Sequence, residues 1–390
     1  MTCKINDIAD RNVFEIISDY GMDGLPKVVE ILFNEAMRLE RTRYLGVEDY
    51  ERSEGRKGYA NGYKPKTIKS RMGELELQIP QVRDSGFYPD CLEKGLRSER
   101  ALKAAYAEMY IHGVSTREVS AVIEKMGGFK VSSSSVSRAT AQLDDELSKW
   151  RSRKLGEYEY LFLDARYETV RQVGVSADMG VLLAVGIDKE GKKTILGIST
   201  KLSEAEVHWR SFLKSLSERG LHGVKLIISD DHTGLKAARK TVFPSIPWQR
   251  CQFHLQQNAG HYVPTKEMKK EVAADIRHIF RAPDMEEAER LLLKYIKKYE
   301  SKKADSLAKW MDENIREGLT IMAFPEKLRK FLRTNNLAER LSKEIKKRTK
   351  KVGIFPNEAS CLRLATAVVV EISDRWANSK RHLPKLDDAE

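Results

Sequence analysis

Cysteine is scarce in this 390-residue chain: Cys3, Cys91, Cys251 and Cys361 are widely scattered, with no C-x-x-C pair. That pattern does not resemble a disulfide framework, and a reducing interior is expected. Long apolar runs are missing too, none approaching the roughly 18 residues of a membrane span. The opening "MTCKINDIADRNVFEIISDYG" carries acids where a signal peptide has a basic start and an apolar core. A soluble, cytoplasmic protein is therefore expected. Absence of a G-x-x-x-x-G-K-[ST] loop removes the sequence basis for a nucleotide cofactor. Internal repeats and low-complexity segments are not evident. Acids are outnumbered, 57 against 69 basic residues, for a formal charge of +12. Such a balance favours polyanion partners without identifying them. The hydrophobic content of 41% is enough for sizeable cores, and the length suggests two or three domains.

The first clear helical pattern follows Pro26, with Val28, Ile31, Leu32, Ala36 and Leu39 at 3- and 4-residue steps. It leads into "RLERTRYLGVEDYERSEGRKGYANGYKPK", polar and Gly-rich, which reads as a basic loop. Alternating Leu75, Leu77 and Ile79 after Met72-Gly73 predict a small hairpin ended by Pro80. Helical spacing returns at Leu102, Ala105, Tyr106 and Met109, with Gly113 placed as a stop. Ser115 and Glu118 then form an S-x-x-E capping box. A third helix is expected from Ser134 or Ser135, burying Val136, Ala139 and Leu143. This resembles helix-turn-helix with a long connection, "GGFKV", and would turn Ser137, Arg138 and Gln142 toward phosphates or base edges. A plain helical bundle is the competing reading.

Beyond residue 157 the pattern changes. Strands are expected at "EYLFLDARYETVR", "VLLAVGID" and "TILGIST", separated by turn-like "SADMG" and "KEGKK", and should form an antiparallel meander. A helix through Trp209, a residue read as core, a buried strand "VKLIISD", a helix "TGLKAARKTVF" and a strand "WQRCQFH" follow. Such alternation adds parallel strands beside the meander. Charged helices fill 262–330, then "NNLAERLSKEIKKRTKK" and "CLRLATAVVVEISDRWA" complete the pattern.

Asp164 lies inside the first of these strands, where an ionised acid among Leu161, Phe162 and Leu163 is costly unless something positive opposes it. Asp230 ends "LIISD", and an acid at the carboxyl end of a parallel strand faces the crevice of an α/β sheet. If the two strands are neighbours, the carboxylates repel unless a cation keeps both ionised, and hard oxygen donors suit Mg²⁺ or Mn²⁺. Glu339, on the helix after 262–330, would complete a three-acid cluster able to hold two ions about 3.5–4 Å apart. First strand, strand after the meander and helix after the last strand are where an RNase H-like fold presents its acids. Asp231 and Glu344 are the rival acids. Adjacent strand-end side chains diverge, and five helical residues turn about 500°, so neither can duplicate its neighbour.

"LFLDARY", "ISDDHTGLKAA", "WQRCQFHLQQN" and "NNLAERLSKEIKKRTKKVGIFPN" together resemble bacterial and archaeal insertion-sequence transposases of the Mutator-like superfamily, over roughly residues 30 to 380. The resemblance implies a DDE enzyme that cuts DNA at transposon ends and joins the freed 3′-hydroxyl to target DNA. It assigns Asp164, Asp230 and Glu339 as catalytic acids and metal ligands, with two Mg²⁺ or Mn²⁺ ions, and an N-terminal region binding terminal inverted repeats. The expected fold is α/β, an RNase H-like catalytic core with an all-helical insertion, preceded by the helix-turn-helix-like DNA-binding region.

The expected divisions are 1–65 (helical region and basic loop), 66–95 (hairpin), 96–152 (helix-turn-helix-like), 156–261 and 331–380 (core), 262–330 (insertion) and 381–390 (polar tail). Cys251 and His254 form a C-x-x-H motif. Zinc would need further ligands that no second pair supplies, so a packed junction is favoured, ahead of active-site support and then a metal site. His232 and Arg166 are further support candidates. Arg340, Lys343, Lys346, Lys347 and Arg348 read as phosphate contacts or as a solvated face. A dimer or larger assembly on DNA, near the nucleoid, follows from the need to join two ends. The rivals are an RNase H-like nuclease or resolvase that cuts without joining, and an inactive DNA-binding protein.

Overall fold

A computed structural model of the chain describes residues 7–384 except 49, 50, 52, 84, 85, 96, 112, 113, 115, 128, 142, 173 and 174. Gly113, Ser115 of the capping box and Gln142 thus lie outside the described residues. The chain forms two compact units, one comprising Met1–Tyr110 with Val114–Leu143, the other chiefly Asp144–Glu390.

In the first unit α1 (Asp7–Tyr20) precedes α2 (Leu25–Leu45), which begins with Pro26 in its first turn and stops at Gly46 with φ 72°. Antiparallel β1 (Ala60–Ser70) and β2 (Gly73–Val82) follow. Ile68, Leu75, Leu77 and Ile79 project toward Met37 of α2 in one small core. The hairpin is longer than the sequence suggests: "ANGYKPK", read as loop, is strand. Pro80 does not end the hairpin but pairs with Tyr63, next to a bulge between Ala60 and Tyr63. Both strands of a two-stranded sheet are edges, so a residue without an N–H is tolerated there. Helices α3 (Arg100–Ile111), α4 (Thr116–Gly127) and α5 (Ser133–Ala141) share a core of Leu102, Tyr106, Val119, Ile123, Phe129, Val131 and Val136. Ser132, rather than Ser134 or Ser135, caps α5, its Oγ accepting the Ser135 N–H at 3.1 Å.

The second unit opens with α6 (Asp144–Ser152), included in 96–152 by the sequence reading. Its Asp144 instead accepts from Arg363 at 2.6 and 2.8 Å, and Arg151 donates to Thr366 at 3.2 Å, fastening it to the end of the chain. A mixed five-stranded sheet has the order β5-β4-β3-β6-β7, from β3 (Tyr160–Gln172), β4 (Val175–Ile187), β5 (Lys193–Lys201), β6 (Leu226–Ser229) and β7 (Trp248–Arg250). β3, β4 and β5 form the antiparallel meander, whereas β6 and β7 add in parallel on the other side of β3. "SADMG" is not a turn: Ser176 pairs with Arg171 and Gly180 with Tyr167 inside the ladder. Cross-strand pairing outweighs the weak strand preference of Ser, Asp and Gly here.

Helices α7 (Glu206–Glu218) and α8 (Thr233–Val242) cover one sheet face with Trp209, Phe212, Leu213 and Leu235 packed on Leu161, Leu163 and Leu182. After β7 come α9 (Gln252–Ala259), α10 (Met268–Phe280), α11 (Met285–Ser301) and α12 (Asp305–Asn314), whose apolar faces share a separate core around Ile276, Leu292, Tyr299 and Met311. Then α13 (Glu326–Leu332), α14 (Asn336–Thr349) and α15 (Glu358–Ala377) bring the chain back to the sheet. Residues 381–384 are not wholly polar tail, since Leu383 is buried and the N–H groups of His382 and Leu383 donate to Gly191 O at 2.8 and 3.1 Å.

At the first turn of α8, Gly234 lies against backbone: a Cβ there would stand 2.3 Å from Glu204 O and 2.9 Å from Glu206 N. Neither atom can swing aside as a flexible side chain would. Gly234→Ala is expected to cost about 1–3 kcal/mol and lower the thermal midpoint by circular dichroism. An unchanged midpoint would contradict the close approach.

Candidate active site

Strand register builds the first half of the site. β3 pairs with β6 in parallel, Phe162 against Ile228. Two residues beyond that pair stand Asp164, still within β3, and Asp230, just past the end of β6. Burial pushes the Asp164 carboxyl up to about 6, and the negative charges of Asp230 and Glu339 add to the rise. Opposing them, the Ser342 hydroxyl donates to Asp164 Oδ2 at 2.5 Å.

The second half comes from α14, docked along β3 by polar contacts. Fully buried Asn335 donates through Nδ2 to Leu163 O at 2.9 Å, and its N–H donates to Cys251 Sγ at 3.3 Å. Further along, Arg166 donates to Ser342 O at 2.5 Å and pairs with Glu168 at 2.7 Å. Thr349 donates to buried Glu168 at 2.8 Å. Thus alternate β3 residues 164, 166 and 168 all face α14, and Glu339 is carried to the end of β6. Its side chain is 19% exposed, its Oε1 is buried without a hydrogen-bond donor, and it lies 3.8 Å from His254 Nδ1.

The stretch "WQRCQFH" is strand only through Arg250; Cys251 caps α9, and His254 stands in its first turn. The strand ends because the Cys251 N–H turns back to Ser229 O at 2.9 Å while the Gln252 N–H goes to Arg333 O at 3.0 Å. His254 Nδ1 is in close contact with Asp230 Oδ1. The bond to Asp230, with a further one to Cys251, pushes the imidazole up to about 10 against the effect of burial. Among the described residues, the ligand atoms that all fall within 4.8 Å of one another are those of Asp230, Cys251 and His254. The three acids surround one neighbourhood without closing to that distance, and His254 reaches two of them.

Asp231 is occupied elsewhere, paired with Lys236 at 3.1 Å and with Arg250, itself 2% exposed, at 2.9 Å; Arg250 also holds Glu317 at 2.9 Å. His232 lies 3.6 Å from Glu204, apart from the acids. Glu344 points outward to Lys347 at 2.5 Å. Of the basic residues after Glu339, Arg340, Lys343 and Lys347 line a groove on another face of α14, whereas Arg348 pairs with Glu371 at 3.3 Å and Lys346 lies in the field of Glu168. Ser137 and Arg138 are exposed on α5. Sequence reasoning missed Asn335, Ser342 and Thr349. An Asn before a helix signals an N-cap, yet the Asn335 side chain makes no cap bond and serves β3 instead.

The donor set is of the kind a hard divalent cation takes: Asp164 and Asp230 offer carboxylate oxygens, and the Glu339 Oε1 is buried with no hydrogen-bond donor, though the three acids do not all come within 4.8 Å of one another. Cys251 Sγ already accepts the Asn335 N–H.

Residues 5–379 match the model of the family described as "Transposase, Mutator family". The transposase for insertion sequence element IS406 of Burkholderia multivorans is 52% identical over 372 residues, 95% of this chain and 96% of that protein. The transposase for ISRM5 of Rhizobium meliloti is 40% identical over 94% of this chain and 92% of that protein. That for IS256 in transposon Tn4001 of Staphylococcus aureus is 36% identical over 92% of this chain and 93% of that protein.

The raised Asp164 carboxyl has a signed consequence for the metal-free chain. Its ordinary value is 3.8 and its folded value about 6, so the folded state binds the proton more tightly than the unfolded state. Its stabilising contribution is present below about pH 4 and is lost as pH rises through about 6. In EDTA, the stability of wild type relative to Asp164→Asn, from urea midpoints, should fall across that window. A difference independent of pH would contradict the burial of this carboxyl.

Proposed function

This chain belongs to the Mutator family of transposases, and on that premise we propose that it cleaves phosphodiesters at transposon ends and joins the freed 3′-hydroxyls to target DNA. The observation that carries the reading is the meeting of Asp164 and Asp230 through the β3–β6 register, with Glu339 brought beside them by α14. Strand order β5-β4-β3-β6-β7 with the third acid on a returning helix supports an RNase H-like core.

Asp164, Asp230 and Glu339 would hold Mg²⁺ or Mn²⁺. When bound, the ions supply a Lewis acid at the phosphoryl oxygens and lower the proton affinity of the attacking hydroxyl. The chain's own work is positional. Ser342 fixes the Asp164 carboxyl, the Asn335 amide holds the start of α14 against β3, and Cys251 keeps α9 beside Ser229. His254 faces Asp230 and Glu339 beside the cluster. Carboxylates fixed before substrate arrives need little reorganisation at the moment of reaction.

Cleavage forms one P–O bond to a water oxygen and breaks the P–O3′ bond, leaving a 3′-hydroxyl. In joining, that hydroxyl oxygen attacks a target phosphodiester and displaces the target's own 3′-oxygen. Exposed Ser137 and Arg138 on α5 are the candidates for reading the terminal repeats. Since two ends must be held together, the working form is a dimer or larger assembly, acting at the nucleoid.

A labelled, pre-cut transposon end incubated with target DNA and Mg²⁺ tests this reading. Joined products are expected from the wild type. Asp164→Ala, Asp230→Ala and Glu339→Ala should each lower their yield at least about a hundredfold, while Glu344→Ala should retain them. Cleavage without joining would instead identify a nuclease. Full activity in Asp164→Ala would overturn the catalytic assignment.

A further inference from the structure

Helix α14 has a second functional face. Asn336, Arg340, Lys343 and Lys347 recur at 3- and 4-residue steps and so share a stripe turned away from the one carrying Ser342 and Thr349. That stripe forms one wall of a groove of about 690 Å³. Lys193 of β5, Lys330 of α13 and Arg375 of α15 contribute from the other elements. Six cations therefore converge on a single cavity of the second unit.

Some cations elsewhere in this unit sit against an acid at short range: Arg250 by Glu317 at 2.9 Å, Lys298 by Asp275 at 2.5 Å, Lys302 by Glu271 at 2.7 Å, Arg316 by Glu289 at 3.0 Å. In the groove only Lys347 and Arg375 have an acid partner among the described residues, Glu344 at 2.5 Å and Glu371 at 3.8 Å. Lys193 and Lys330 are held by rings instead, 4.6 Å from the centroid of Trp376 and 4.8 Å from that of Phe331. A ring fixes an ammonium in place without cancelling its charge.

His382 also lines the cavity. The bonds from His382 and Leu383 to Gly191 set the His382 ring edge-on to Phe331 at 5.9 Å. Burial, with Lys193 and Arg340 beside it, lowers that imidazole to about 4, leaving it neutral. Unneutralised like charges repel one another, and a ligand carrying several regularly spaced negative charges relieves that repulsion.

We propose that this groove grips the sugar-phosphate backbone of a DNA strand, on a surface separate from the three acids. That the polyanion is DNA rests on the transposase reading above. Lys193, Lys330 and Arg375 join Arg340, Lys343 and Lys347 as contacts, while Lys346 and Arg348 are left out.

The test is the salt dependence of binding, by fluorescence anisotropy, with a labelled duplex and a labelled oligothymidine as probes. Replacing Lys193, Lys330 and Arg375 by Ala should reduce the slope of log affinity against log salt by about 3 on the duplex or about 2 on the single strand. Whichever probe loses slope identifies the strand form bound. Replacing exposed Lys189, Lys240 and Lys270 by Ala changes net charge equally and should reduce the slope by less. Equal loss in both triples, or loss in neither on either probe, overturns the proposal. A readout on the wild-type chain avoids any folding defect: DNA should protect Lys193, Lys330 and Lys343 from acetylation, read by mass spectrometry, and unprotected lysines overturn the proposal as well. Asp164→Asn should keep the wild-type slope while losing cleavage, so failure of the groove and failure of the acid cluster give different results.

Discussion

The fastening of α14 to β3 is the constraint on which the site depends. Asp164 is fixed by its place in the sheet, and Asp230 follows from β-pairing, but Glu339 lies far downstream, beyond the helices that start at Gln252. It reaches the cluster because Asn335 binds Leu163, Ser342 binds Asp164, Arg166 binds the Ser342 carbonyl, and Thr349 binds Glu168. Helix and strand keep pace: from 335 to 349 the helix rises about 21 Å, and from 163 to 168 the strand rises roughly 17 Å. Each bond is modest in net worth, but a buried amide such as that of Asn335 is costly to leave unsatisfied, and this gives the docking one register. Ser342 has two roles, tying the helix down and orienting the first acid.

The same helix divides its surface between two kinds of charge. One stripe places a carboxylate in a cluster of carboxylates, and another places arginine and lysines in a groove where cations outnumber the acids, Glu344 being the one acid among its lining residues. Adjacent helical residues are turned about 100° from each other, so Glu339 and Arg340 can serve these different environments without neutralising each other. On the acid side the basic group is His254, in contact with Asp230 and within reach of Glu339.

Local patterns revealed more of the fold than of the site. The meander, the parallel strands beside it and the charged helices after β7 were legible because period-2 and period-3.6 patterns are strong there. The length of β4 was not, since Ser176, Asp178 and Gly180 have turn-like chemistry and are strand only through their partners on β3. Pro80 misled for a related reason: at an edge, its missing N–H costs little. The acids were visible as polar residues at the ends or inside of apolar strands, and Asp230 was separable from Asp231 by alternation. The buried Arg250 that holds Asp231 could not be read, because it also depends on Glu317 in the helical segment. Asn335 looked like an ordinary cap, since nothing in its neighbours announces a carbonyl on β3. The helical spacing recovered much of the shared core of α3, α4 and α5, though Ala105 is exposed, while α6 bonds instead to Arg363, a partner far along the chain.

The central claim is that Asp164, Asp230 and Glu339 act as one hard-metal centre. The most direct measurement is anomalous scattering from crystals of this chain grown with Mn²⁺ and a DNA end. The account predicts manganese held by Asp164, Asp230 and Glu339. Manganese held by Cys251 and His254 instead, or none at Asp164, would contradict it.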